Sequence, residues 1–220
     1  MILLSHFLDS ETPTYGNRDS FIVNEVSQIK KGSSANSSEW KFSTNHIGTH
    51  LDVPNHFFEN GKTITDYKNE YWYSKKCFLI DVPCNKAQLI KFSESFLEIP
   101  KDVEVLLIRT GYESFRSKNK YWNDNPGLSP ELGTWLKSNF LSLRIVGFDF
   151  ISLTSWKFRD EGKEAHRNFL GSSKNYNSIC IIEDMALSKI DSQIRDIIIS
   201  PFFVKGSNGS PVTVFANLYA

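Results

Sequence analysis

The chain has 220 residues, 40% of them hydrophobic and 23% charged, which excludes wholesale disorder and leaves enough apolar material for a sizeable core. Lysine plus arginine and aspartate plus glutamate both number 25, without a long basic run, so a nucleic-acid partner is not expected and a small-molecule ligand is. Cys77, Cys84 and Cys180 form an odd set without CxxC spacing, which speaks against a disulfide framework and a thiolate zinc site.

Taken in chain order, the opening Met1-Ile2-Leu3-Leu4-Ser5-His6 lacks a basic, apolar leader, and no later run is long enough to cross a bilayer. A cytoplasmic location without a membrane partner is therefore expected. Ser33-Ser34-Ala35-Asn36-Ser37-Ser38 reads as a surface hairpin connection rather than a domain boundary, so residues 1–220 are expected to form one domain. Apolar, β-rich runs at 77–82 and 103–109 read as strands. Ser129-Pro130-Glu131 then opens a helix with an N-cap and a proline at its first position, running to about residue 140. A strand follows at 143–150, a second helix at 157–170 stopping at Gly171, and further strands at 178–182, 194–204 and 212–218. This alternation predicts an α/β domain of the mixed α+β kind.

Three of the five histidines fall in one short segment, His46-Ile47-Gly48-Thr49-His50-Leu51-Asp52-Val53-Pro54-Asn55-His56-Phe57. Neutral imidazole and carboxylate are ordinary ligands of divalent zinc or manganese, and the absence of cysteine favours a hydrolytic site over a structural one. Regular structure does not bring these groups together. In a uniform strand His46 and His50 would stand about 13 Å apart at roughly 3.3 Å per residue. In a uniform helix Asp52 would point away from His50. A bend at Gly48 followed by an extended run lets His46 approach while His50 and Asp52 share a side, with Pro54 ending the run. A metalloprotease helix is excluded because position 47 is isoleucine rather than glutamate.

The segment resembles the HxGTHxDxPxHF signature of the cyclase family, which includes bacterial kynurenine formamidase and isatin hydrolase. Each fixed position is present. Weaker echoes follow in the same order, among them Leu107-Ile108-Arg109-Thr110-Gly111, Val146-Gly147-Phe148-Asp149, Ala165-His166-Arg167, Ile182-Glu183-Asp184-Met185 and Gly209-Ser210-Pro211-Val212. The resemblance implies a mixed β-sheet core with flanking helices, assembled as a homodimer or higher homo-oligomer. It also implies one or two divalent ions, zinc or manganese, held by His46, His50, Asp52, His166 and Glu183, with Asp52 and Glu183 bridging and His56 left free as acid and base. Tyr15 falls where family members place an aromatic residue against the substrate; the alternative is a turn residue packed on the surface.

Two departures stand out. The interval from His166 to Glu183, 17 residues, is longer than in the formamidase branch, which keeps Glu161 and Glu164 as rival ligands. Thr213 occupies a position where many relatives have arginine. Arg109 is expected to pin a strand end, Asp149 to orient a ligand histidine, and His6 to be a buried, hydrogen-bonded imidazole. The implied activity is hydrolysis of a small amide, formamide or lactam, as in an arylformamidase, with lactone or cyclic-amide opening as the variant and a metal-binding module without turnover as the third reading. Tyr15, Phe57 and Trp72 supply aromatic surface near the motif for an aryl substrate.

Overall fold

The apolar runs become strands because the molecule buries them on both faces. The computed structural model describes residues 1–174 and 176–219; Asn175, within the longer loop noted above, and Ala220 lie outside the described residues. In chain order the strands are β1 (Ile2–Leu3), β2 (Phe21–Ser27), β3 (Ser37–Phe42), β4 (His50–Asp52), β5 (Tyr73–Ser74), β6 (Cys77–Asp81) and β7 (Leu89–Ile90). They continue as β8 (Val105–Arg109), β9 (Gly127–Leu128), β10 (Ile145–Phe148), β11 (Cys180–Glu183), β12 (Ile194–Pro201) and β13 (Gly209–Leu218). The α-helices are α1 (Lys120–Asn123), α2 (Pro130–Asn139) and α3 (Arg159–Leu170).

One large mixed sheet runs β5-β12-β13-β4-β11-β10-β8-β6, with β1 added against β13. The pairs β6–β8, β8–β10 and β10–β11 are parallel, and the helices lie in the crossovers that parallel pairing requires. The pairs on the other side, β11–β4, β4–β13 and β13–β12, are antiparallel. Alternate residues of the parallel strands feed two cores. Leu106, Ile108, Val146, Phe148 and Ile181 pack with Leu132 and Leu136 of α2 and Ala165 and Phe169 of α3. Val105, Leu107, Ile145, Cys180 and Ile182 face the other way, toward Leu51, Ile197, Ile199 and Val214. That double burial is why these segments read as continuous apolar runs.

The expected strands and both longer helices are present, with shifted ends. Ser129 caps α2, its Oγ accepting from the Leu132 amide at 3.2 Å. Helix α3 begins at Arg159 rather than 157, after a turn in which the Phe158 amide donates to the Ser155 carbonyl. The serine-rich stretch does connect a hairpin, but Ser37 and Ser38 are already paired in β3, against Ser27 and Glu25. The short strand β4 carried no apolar run to announce it, yet it is central to the sheet and fully buried.

Candidate metal centre

Strand β4 organises the site. His50 and Asp52, two residues apart in an extended chain, project to the same side. Pairing with β11 sets Glu183 directly across from His50, and pairing with β13 sets Gly209 across from Asp52. Gly48 adopts φ +60°, the left-handed bend that delivers His46, and a Cβ there would sit 2.4 Å from Leu8 Cδ2. A Cβ on Gly209 would lie 2.5 Å from His46 Cε1, so that glycine makes the space the imidazole occupies. The turn Pro54–His56 brings His56 back, and α3 presents His166.

Four imidazoles therefore surround two buried carboxylates. His50 Nε2 lies 3.3 Å from Glu183 Oε2 and 3.7 Å from Asp52 Oδ1. His166 Nε2 lies 3.6 Å from both Asp52 Oδ2 and Glu183 Oε1, and His56 Nε2 lies 3.9 Å from Asp52 Oδ2. Ligand atoms about 2.0–2.1 Å from a four-coordinate cation are separated from one another by roughly 3.3–3.4 Å, so the His50–Glu183 spacing matches an edge of such a polyhedron and the others are a few tenths of an ångström wider. His46 differs, with Nδ1 at 2.7 Å from Asp52 Oδ1. Two overlapping sets of donor atoms result, His46–Asp52–His56 and His50–Asp52–Glu183, sharing Asp52.

The far side of each of two rings fixes its tautomer. His50 Nδ1–H donates to the Gly48 carbonyl at 2.8 Å, and His166 Nδ1–H to the Gly162 carbonyl at 2.9 Å, leaving both Nε2 atoms facing the carboxylates. His46 lies between two acceptors, with Nδ1 toward Asp52 and Nε2 3.1 Å from Asn208 Oδ1, an amide oxygen to which Asn45 Nδ2 also donates. Phe57 stacks on His166 with ring centres 4.7 Å apart. Glu183 is further held by the Leu153 amide, which donates to Oε1 at 2.7 Å. Imidazole nitrogen and carboxylate oxygen without thiolate are the chemistry of a zinc or manganese site, and His46, His50, Asp52, His56 and Glu183 make up the two donor sets, with His166 Nε2 3.6 Å from both carboxylates.

Without metal, protons supply the missing positive charge. Burial opposes charge on His50, but Glu183 and Asp52 outweigh it and lift the imidazole to about 9. Burial is likewise outweighed at His166, which Asp52 and Glu183 raise to about 10. Burial would push Glu183 up, yet His166 and His50 hold it at about 2, and Asp52 is held well below the usual carboxylate range by His46 and its neighbours. At pH 7 the metal-free centre thus carries two imidazolium ions that coordination must deprotonate, and metal binding should release about two protons at that pH. Calorimetry in buffers of different ionisation enthalpy reads that number directly; release of none would remove His50 and His166 from the ligand set. The sign carries over to stability. The raised histidines stabilise the metal-free fold fully below about 6.5 and lose that contribution as pH rises through about 9 to 10.

Other sequence expectations resolve as follows. Glu161 and Glu164 are exposed on α3, away from the cluster. Arg109 pins its strand end: Nε and Nη2 donate to the two Asp81 oxygens at 2.6 and 2.9 Å, and Nη1 to the Ile190 carbonyl. Asp149 orients no ligand histidine; its carboxylate accepts from the Thr110 amide and hydroxyl and the Gly111 amide, because the end of β10 lies beside the turn that follows β8. His6 stays apart from the cluster and is hydrogen-bonded to the Met185 backbone, while its buried Nε2 has no partner among the described residues. Trp72 belongs to the core, whereas Tyr15 and Phe57 line the pocket over the cluster. Thr213 is exposed on β13, outside that pocket.

Two contributors escaped the sequence reading. Gly209 was legible only as part of a motif echo, since its role depends on cross-strand register. Asp184, next to Glu183, holds φ +54°, and its buried carboxylate accepts from Arg116 Nε and Nη2 at 3.0 and 2.8 Å and from the Tyr121 hydroxyl at 2.5 Å. It locks the backbone immediately after a cluster carboxylate in a conformation that residues other than glycine rarely adopt.

Comparison with known proteins agrees with this architecture. Cyclase-like protein 3 of Oryza sativa subsp. japonica is 28% identical over 218 residues, covering 95% of this chain and 76% of that protein. The kynurenine formamidase of Bacillus thuringiensis subsp. konkukian (strain 97-27) is 30% identical over 171 residues, covering 76% and 73%. Isatin hydrolase A from Labrenzia aggregata, solved with benzyl benzoate, superposes with a TM-score of 0.78 over 99% of this chain and 93% of its own, at 19% identity. The profile described as "Putative cyclase" matches residues 2–154, and the chain belongs to that Cyclase family.

Proposed function

We propose that the protein is a metal-dependent hydrolase cleaving the C–N bond of a small amide, with an arylformamide such as N-formylkynurenine as its substrate and zinc or manganese, one or two ions, as its cofactor. The observation that carries this reading is the convergence of four imidazoles and two carboxylates on one wall of a pocket of about 310 Å³. His46, His50, Asp52, His166 and Glu183 would hold the metal. Once bound, a divalent cation lowers the pKa of a coordinated water toward ~7 and polarises a carbonyl oxygen. His56 would take the proton of the attacking water and return it to the leaving nitrogen. Its side chain is 29% exposed against 18% for His46, 7% for His50 and 5% for His166, so it is the imidazole most open to the pocket. Burial outweighs the pull of Asp52 and depresses His56 to about 4, so its ring is neutral at pH 7. Tyr15 and Phe57 give the pocket an aromatic rim suited to an aryl group.

The similarity to kynurenine formamidase supports the formamide, and the structural likeness to isatin hydrolase supports a cyclic amide as the second reading. The two sequence departures favour neither, because Thr213 and the described residues 171–174, 176 and 177 lie outside the pocket. Apolar side chains left exposed on the β2–β3 hairpin, Val23 and Trp40 among them, are consistent with the proposed homo-oligomer. The deciding experiment loads the protein with zinc or manganese and follows formate release from N-formylkynurenine alongside ring opening of isatin. Formate release is expected; cleavage of isatin alone would shift the assignment to the cyclic amide, and inertness toward both would overturn the hydrolase reading.

A further inference from the structure

Beside the cluster residues, the pocket is lined by three cationic side chains, Arg18, Arg159 and Lys163, that the hydrolytic chemistry does not use. Asp52 and Glu183 are occupied by imidazoles and Lys163 pairs with Asp160 at 2.8 Å, while Asp19, which accepts from the Ser43 hydroxyl at 2.9 Å, keeps its negative charge in the same pocket. Arg18 and Arg159 also line the pocket, and among the described residues neither forms an ion pair. Their setting is built. The Arg159 guanidinium lies 4.8 Å over the Trp156 ring, which packs edge-on against Tyr15 at 5.2 Å and is anchored through its amide to Asn125 Oδ1 at 3.0 Å. Gly16, at φ +72°, admits both neighbours: a Cβ there would meet the Trp156 ring at 2.6 Å and Arg18 Nε at 3.1 Å.

Tyr15 lines the same pocket. Its buried hydroxyl has no acceptor among the described residues, and its hydrogen-bonding neighbour is the cationic Arg159, an unusual state for a phenol. Burial raises its pKa, with Arg159 and Arg18 pulling down and Glu183 pushing up, which places the hydroxyl in the fields of both arginines and of a cluster carboxylate. Two guanidinium groups without a carboxylate in ion-pair contact and a phenol proton without an acceptor, among the described residues, together call for an anionic oxygen from the ligand.

We propose that this part of the pocket selects amide substrates that carry a carboxylate remote from the scissile bond, received by Arg159 and Arg18 and by a hydrogen bond from the Tyr15 hydroxyl. The proposal rests on the hydrolase reading and narrows it to an acidic substrate class. Its test compares 4-formamidobenzoate, with its carboxylate across the ring from the formamide, and neutral formanilide on the metal-loaded enzyme. The ratio of kcat/KM for the acid over the neutral compound should exceed one in the wild type and fall by about 10- to 100-fold in Arg159→Gln combined with Arg18→Gln, as expected for loss of charge-assisted hydrogen bonds. Tyr15→Phe should lower the same ratio to a smaller degree. A wild-type ratio near one, or a ratio unmoved in the double variant, overturns the proposal while leaving the hydrolase standing. Cleavage of neither compound counts against the hydrolase instead. Affinities of the two compounds for the metal-loaded protein, measured by calorimetry, then give the same ratio, and its insensitivity to the arginine changes sinks the anion site.

Discussion

Replacing His56 with alanine lowers kcat by roughly 10²- to 10⁴-fold and leaves the metal content at the wild-type level. The expectation follows from where the ring stands. Among the imidazoles around Asp52 whose Nε2 faces it, His56 is the farthest, at 3.9 Å against 3.6 Å for His166 and 3.7 Å for His50, and it is also the most open to the pocket. A ring so placed is poorly situated to be required for holding an ion and well situated to reach a water or a leaving nitrogen. Elemental analysis combined with turnover of a verified substrate separates the roles. Metal loss would make His56 a ligand, a real alternative since His46, Asp52 and His56 form one of the two donor sets. Full turnover with full metal would remove the residue from the mechanism.

His50→Ala has a different signature: at least one equivalent of metal is lost, and activity falls by more than ~100-fold, beyond the range usual for residues that merely orient a ligand. His50 is buried, its Nε2 touches both carboxylates, and its other nitrogen is committed to the Gly48 carbonyl. No neighbouring side chain can take its place, because β4 fixes its position across from Glu183. The fold should survive, since Glu183 keeps the Leu153 amide and Asp52 keeps His46. Equal metal content in variant and wild type would dismiss His50 as a ligand.

How much of this was legible in the sequence depended on whether a feature was local. The parallel strands announced themselves through apolar runs buried on both faces, and α2 through Ser129 and Pro130. The bend at Gly48 was inferred from reach, and the chain does turn there, with Gly48 at φ +60°. Strand β4 was not readable as a strand, because three residues bearing two polar side chains carry no periodic signal. The meeting of Glu183 with His50 and the space opened by Gly209 are consequences of register, which pairs residues over 100 positions apart. Motif resemblance located Glu183 and His166 without explaining them. Asp149 was misassigned for a related reason: a carboxylate ending a strand is consistent with serving the site or the next turn, and only the packing of β10 against β8 decides for the turn.

The acceptors that set the tautomers of His50 and His166 are main-chain carbonyls, those of Gly48 and Gly162. A carbonyl oxygen is present whatever side chain its residue bears, so mutation can displace such an acceptor only by rerouting the backbone. The rim residues Tyr15, Arg18 and Arg159, by contrast, act through side chains borne on other segments of the chain. On the proposed reading the two halves of the pocket are separately mutable: substrate choice would drift through single substitutions at the rim while the aim of the two imidazole nitrogens facing Asp52 and Glu183 stays fixed. A directed-evolution campaign seeking new amide substrates on this scaffold has its free positions there.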